Sequence, residues 1–220
     1  MSDTSANNKR IAKNTFLLYI RMLFLMLINL YTSRVILQIL GVEDYGIYNA
    51  VGGIVLILSF LNSALSNGSS RFITYELGKK NTSELNNVFC TILNAHIILA
   101  IIVVIIAESI GLWFIKTKLG LPDDRFDAAL FAFHFSVLTS VASITQVPYT
   151  ATIIAHEKMQ IYAYASIIEV VLKLLILYLL PVLGQDRLQT YAILLFCIQI
   201  MIMSIYRIYC IRKFNETKFK

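Results

Sequence analysis

Apolar residues fall into six long runs along the chain, near Thr15–Leu40, Gly46–Asn67, Val88–Ile115, Asp127–Pro148, Gln160–Leu180 and Leu188–Cys210. An α-helix needs about 20 apolar residues to cross a hydrocarbon core, and each run is long enough. The breaks between them have local causes. "GVEDYG" brings Gly41, Glu43, Asp44 and Gly46, and "ELGKKNTSELNN" is polar and charged. "KTKLGLPDDRFD" holds Gly120 and Pro122, "AHEKMQ" is a short polar turn, and "PVLGQDR" holds Pro181 and Gly184. Glycine and proline end helices, and charges resist burial in lipid. Pro148 is expected to end or kink the fourth run. The pattern predicts an all-α polytopic membrane protein: a short segment 1–14, a six-transmembrane-helix bundle over 15–210, and a basic tail 211–220.

Composition agrees with the pattern. Hydrophobic residues make up 58% of the 220, and charged residues only 15%. A soluble domain of this size carries far more surface charge. The polar N-terminus is followed by an apolar run too long for a secretory signal, with no cleavage-site pattern.

The net charge of +6 has a topological explanation. With the N-terminus inside, twelve Lys and Arg fall on the cytoplasmic side, four (Lys116, Lys118, Arg125, Arg187) outside, and Arg21, Arg34 and Lys173 within spans. That bias predicts both termini in the cytoplasm. The matches to N-x-S/T at Asn67, Asn81 and Asn215 lie near that side and read as chance. No basic cluster alternates with aromatics in a soluble segment, which argues against nucleic acid. The tail "RKFNETKFK" reads first as a solvated anchor at the membrane edge and second as a lipid-recognition patch.

Against this apolar background the polar positions stand out. In "YAYASIIEVVLKLLILYLL", Tyr162, Ser166, Glu169 and Lys173 follow i, i+4, i+7, i+11. At 100° per residue they lie within about 60° of one another, on one helix face. Such a stripe should face protein or water. Two readings stand. Glu169 and Lys173 form an intrahelical pair in the favourable order, packed into a helix seam. Alternatively, they form the charged wall of a hydrated cavity, which avoids desolvating an ion pair in lipid.

The first run carries Arg21 and Arg34, roughly 140° apart around the helix, so both cannot line one narrow surface. Arg21 either snorkels or lines a cavity. Arg34 either lines a cavity or pairs locally with Glu43 or Asp44. Ser59, Ser63, Ser66 and Ser70 form a second stripe, read first as close helix packing and second as cavity lining. His96, Glu108 and His134 form no convincing metal set, and Cys90, Cys197 and Cys210 lack metal spacing. No nucleophile elbow, P-loop or HExxH occurs. No cofactor and no enzymatic activity are expected.

Three blocks carry a resemblance: "SRVILQILGVEDYGIYNAVGGI" (33–54), "SNGSSRFITYELGKKN" (66–81) and "AHEKMQIYAYASIIEVVLKLLILYLL" (155–180). In order and spacing they resemble bacterial polysaccharide-biosynthesis membrane proteins, the O-antigen-type flippases of the multidrug/oligosaccharidyl-lipid/polysaccharide exporter superfamily. The resemblance implies two bundles of about six helices around a cavity of alternating access. It also implies a cargo, an undecaprenyl-pyrophosphate-linked oligosaccharide carried across the bacterial inner membrane. Arg21, Arg34 and Lys173 are then the candidate pyrophosphate contacts, with Glu169 holding Lys173 or coupling to a cation. The family has 12 to 14 spans, so this chain resembles the N-terminal half. Its expected partners are membrane lipids, the lipid-linked oligosaccharide, a second six-helix lobe (its own C-terminal half or another copy) and glycan-assembly proteins. Rival expectations are a multidrug/cation antiporter or peptidoglycan-precursor flippase of the same superfamily, and a non-transporting half-length interaction protein.

Overall fold

A computed structural model describes residues 2–79, 82–183 and 186–217, with the side chains of 2–11, 13–14, 54, 56–64 and 82 outside the description. The described chain is helical throughout and contains no strand. The helices are α1 (Ser2–Gly78), α2 (Thr82–Ile106), α3 (Leu112–Lys118), α4 (Phe126–Ala155), α5 (Met159–Leu179) and α6 (Arg187–Lys213). A π-turn over Ala107–Gly111 joins α2 to α3. Among the described residues, five helical stretches are long and apolar enough to cross a membrane: Thr15–Gly53, Ser83–Lys118, Asp123–Ala155, Met159–Val182 and Arg187–Lys213.

The outside of the bundle is apolar. On the first limb of α1, Phe16, Tyr19, Met22, Leu23, Met26, Leu27 and Leu30 are exposed, as are Ile98, Ile101, Ile105 and Ile110 along α2 and the π-turn. Apolar surface this continuous is not tolerated in water. The protein is a membrane-embedded helical bundle.

Gly41 breaks α1 into two limbs. Its φ of 84° and ψ of 171° lie where a side chain is strained and glycine is not. The expected break over 41–46 is thus concentrated in one residue, and Gly46 is helical. The limbs run in opposite directions. Arg21 and Ser66 line the same cavity, whereas Tyr31 hydrogen-bonds Tyr178 and Asp44 reaches Arg125. The end holding Gly41, Arg125 and Asp186 is here the apical end, and the end holding 79–86, 156–158 and 214–217 the basal end.

α4 is the central helix, packed against α1, α2, α5 and α6. Its small buried residues Ala128, Ala129 and Ala132 permit close approach. Val51, Phe133, Leu177, Leu188 and Ile202 fill the core around it. α4 does not end at Pro148 but continues to Ala155. Proline removes one backbone donor, which a helix embedded among neighbours tolerates. The helix stops instead in a two-bond cap. Glu157 N–H bonds Ile154 O and Lys158 N–H bonds Ile153 O, with Glu157 at φ 55°. That is a Schellman arrangement with glutamate where glycine is usual.

Two polar clasps close the ends. Apically, Arg125 donates from Nε to Asp44 Oδ1 at 2.9 Å and from Nη1 to Asp186 Oδ2 at 2.7 Å. Asp186 also caps α6, accepting from Leu188 N and Gln189 N. Burial alone would raise the Asp186 carboxyl. Arg125 and the two N–H groups outweigh it and hold the pKa below its usual value. Asp44 therefore pairs with Arg125 and not with Arg34.

Basally, the tail is not simply solvated. Phe214 and Thr217 are buried, and His156 stacks on Phe214 with ring centroids 4.0 Å apart. His156 pairs with Glu216, and Asn86 Nδ2 donates to Glu216 O at 2.7 Å. Only Ile211–Lys213 and Asn215 keep the expected exposure in this part of the tail. The same contact explains why α2 begins at Thr82, earlier than the apolar run: its first turns are packed, with Leu85 and Asn86 buried.

Candidate functional site

The polar stripe of α5 faces the inside of the bundle. Tyr162, Ser166, Glu169 and Lys173 all line one cavity of about 350 Å³, the basal chamber. Arg21, Asn29 and Ser66 from α1, Gln146 and Thr150 from α4, and Tyr206 from α6 complete much of its wall. Lys173 Nζ donates to Glu169 Oε1 at 2.6 Å. The pair is intrahelical, as the first reading has it, but it lines a cavity and is not packed into a helix seam.

Arg21 resolves toward the cavity as well. Its guanidinium lies over the Tyr162 ring, 4.2 Å from the centroid, a cation–π contact. Its Nε is buried and has no hydrogen-bond partner among the described residues. Among the described residues the charged groups lining the basal chamber are Arg21, Lys173 and Glu169, two cations against one carboxylate.

A second cavity of about 320 Å³, the apical chamber, lies above. Tyr48 and Asn49 from α1, Ser136, Thr139 and Ser140 from α4, and Gln199 from α6 contribute to its wall. Ser143, Glu169 and Lys173 line both chambers, so the ion pair stands at their junction. Gln199 Nε2 donates to Gln146 Oε1 at 2.9 Å, and these two amides also straddle the junction, one lining each chamber.

The structure thus brings together Arg21, Ser66, Tyr162, Ser166, Glu169 and Lys173. Arg34 is not among them. It is exposed and lines neither chamber, in keeping with its angular separation from Arg21. Ser70 is half-buried, lines neither chamber, and accepts from Thr74 Oγ1 through its backbone oxygen. Ser59 and Ser63 lie outside the described side chains. Ser69, beside the expected stripe, is buried.

Several lining residues were missed by sequence reasoning. Ser136, Ser140 and Ser143 recur at i, i+4, i+7, a visible helical stripe in "HFSVLTSVASITQ". Gln146 and Gln199 are two amides in otherwise apolar runs, a signal of the same kind. Glu108 and His134 also meet, with His134 Nδ1 at 2.9 Å from Glu108 Oε1, but on the outer face of α4 and the π-turn, away from both chambers. Among the described residues no three His, Cys, Asp or Glu side chains converge as a metal site.

An apolar bundle with an electropositive, hydroxyl- and amide-lined interior can hold an anionic headgroup while its outside rests in lipid. No family model, no curated protein and no solved structure matches the chain.

Proposed function

We propose that this chain is one lobe of a flippase that moves undecaprenyl-pyrophosphate-linked oligosaccharide across the bacterial inner membrane. The observation that carries the reading is Arg21: a guanidinium held inside the bundle, its Nε buried without an acceptor among the described residues, in the chamber that also holds Lys173. A buried charged donor without a partner is costly, and an anionic ligand would satisfy it. Guanidinium matches phosphate oxygens in geometry as well as charge. The resemblance of the blocks at 33–54, 66–81 and 155–180 to O-antigen-type flippases supports the same cargo.

In this reading the two limbs of α1 are separate spans. With α2–α3, α4, α5 and α6 they make six, and both termini face the cytoplasm. The basal chamber is then the cytoplasmic one and receives the pyrophosphate. Six helices supply one wall of a two-lobed cavity, and a second lobe, from the same polypeptide or another copy, supplies the other. Rocking of the lobes would alternate access.

The test is surface-glycan export in cells that depend on this chain. Arg21→Gln and Lys173→Ala should each abolish export at unchanged protein level in the membrane. Normal export in both variants would refute the reading. Altered drug tolerance with normal glycan would point to an antiporter instead.

A further inference from the structure

Glu108 and His134 sit where a membrane protein rarely keeps ionisable groups. Glu108 rides on the π-turn and His134 on α4, with Glu108 Oε1 and His134 Nδ1 2.9 Å apart. Both lie at hydrocarbon depth. His134 is eight residues below the apical start of α4, about 12 Å, and Glu108 is ten residues below the end of α3, about 15 Å. Both also face outward. The side chains of His134 and Glu108 keep 41% and 37% exposure, and Ile105, Ile110 and Leu138, about a turn away along the chain, are exposed. Ionisable side chains at such depth almost always face the bundle interior or a partner. These two line neither chamber. π-turns recur at functional sites, and this one carries the acid.

The pair is only half satisfied. Among the described residues His134 Nε2 and Glu108 Oε2 have no hydrogen-bond partner. Two placements of the shared proton leave the pair without net charge: a carboxylate beside an imidazolium, or a carboxylic acid beside a neutral ring protonated at Nε2. In the first Nδ1 donates to Oε1, and in the second Oε1 donates to Nδ1. Either way Nε2 keeps its N–H and Oε2 keeps its lone pairs. The surface thus shows the lipid one donor and one acceptor, side by side at nearly one depth. Acyl chains satisfy neither. A two-fold axis along the membrane normal preserves depth and reverses direction along the surface. It therefore sets the donor of one copy against the acceptor of the other, twice in one contact.

We infer that the outer face of the π-turn and α4 is a homodimer surface, on which two copies of this chain dock in the same orientation and Glu108 of each hydrogen-bonds His134 of the other. Apolar surface gains little by leaving lipid tails, so polar side chains and close packing drive helix association in a membrane. The acid–base pair supplies that drive on an otherwise apolar face, and its self-complementarity names the partner. The inference stands on this surface alone and holds whatever the chambers bind. Neither residue lines a chamber, so a copy docked here is distinct from a lobe that completes them.

Resonance energy transfer in phosphatidylcholine vesicles tests this, with donor and acceptor dyes on separate batches of the purified full chain and the protein-to-lipid ratio varied. The native chain should dimerise. Glu108→Leu and His134→Leu should each weaken dimerisation about tenfold, because each removes both reciprocal hydrogen bonds. A mixture of the two variants, donor on one and acceptor on the other, should pair about threefold more tightly than either variant with itself. In that mixture His134 of one copy still meets Glu108 of the other, and the recovery also reports that both variants are folded. Native protein that stays monomeric at every ratio would overturn the inference, whatever the variants do, and leave the surface to a helix of another membrane protein. Dimerisation that both substitutions leave unchanged would overturn it too. So would a mixture no tighter than its components, since reciprocal pairing requires the recovery.

Discussion

Replacing Arg125 with methionine should destabilise the bundle by about 2–3 kcal/mol, a value set between two limits. Arg125 joins three segments far apart in the chain, through contacts to Asp44 and Asp186. Hydrogen bonds to charged groups contribute about 1.5–3 kcal/mol each when sheltered, and several such contacts would sum to more than 4 kcal/mol. The group is not fully sheltered. The side chains of Arg125, Asp44 and Asp186 keep 22%, 15% and 27% exposure, so water screens part of the attraction. Fully exposed pairs contribute only about 0.2–1 kcal/mol, and breaking a buried pair costs about 3–5 kcal/mol. Methionine keeps an unbranched apolar stem, so the loss reports the guanidinium.

The assay is reversible unfolding in mixed micelles by titration with dodecyl sulfate, followed by far-ultraviolet circular dichroism at pH 7 and near pH 3. The sign of the pH effect is fixed. Asp186 has a folded pKa below its unfolded value, so its contribution is complete above the unfolded pKa of about 3.9 and is lost as pH falls through the folded value. The gap between native and Arg125→Met protein should therefore be widest at pH 7 and narrow in acid. A difference under about 0.5 kcal/mol at pH 7, the scatter of ordinary surface substitutions, would refute the clasp as a stabilising element. So would a gap that does not narrow in acid.

Two further outcomes are expected. Glu157→Gly should stabilise the bundle by about 0.5–1 kcal/mol in the same titration, because Glu157 occupies a left-handed conformation at φ 55° that glycine adopts freely. Phe214→Ala should free the tail from His156 and expose the backbone at 214–217, read as faster amide hydrogen exchange there with little change at the apical ends of α4 and α6.

What could be read from the sequence depended on how local the cause was. Tyr162, Ser166, Glu169 and Lys173 were placed on one face because a helix is a rigid ruler, and that face does turn to a cavity. Arg21 and Arg34 were separated by the same ruler. The glycine in "GVEDYG" announced a break, though not that a single residue would suffice. The basic composition of the tail hid Phe214 and Thr217, whose burial depends on α2 and α4. Pro148 signalled an ending or a kink, and α4 runs on past it to Ala155. The Asp44–Arg125–Asp186 clasp had no local signature, since its members lie 81 and 61 residues apart. The serines of α4 did have one, but with no charge among them it did not stand out from the apolar run.

The basal clasp also bears on the order of assembly. Asn86 meets Glu216 across 130 positions of the chain. A chain made from its N-terminus has α1 to α5 in place before α6 and the tail emerge. Until then the basal chamber lacks Tyr206 and the apical chamber lacks Gln199. Arg21, Glu169 and Lys173 are thus presented in an unfinished bundle, where their charges still need water around them. Packing of α6 and of residues 214–217 thus completes the walls of both chambers.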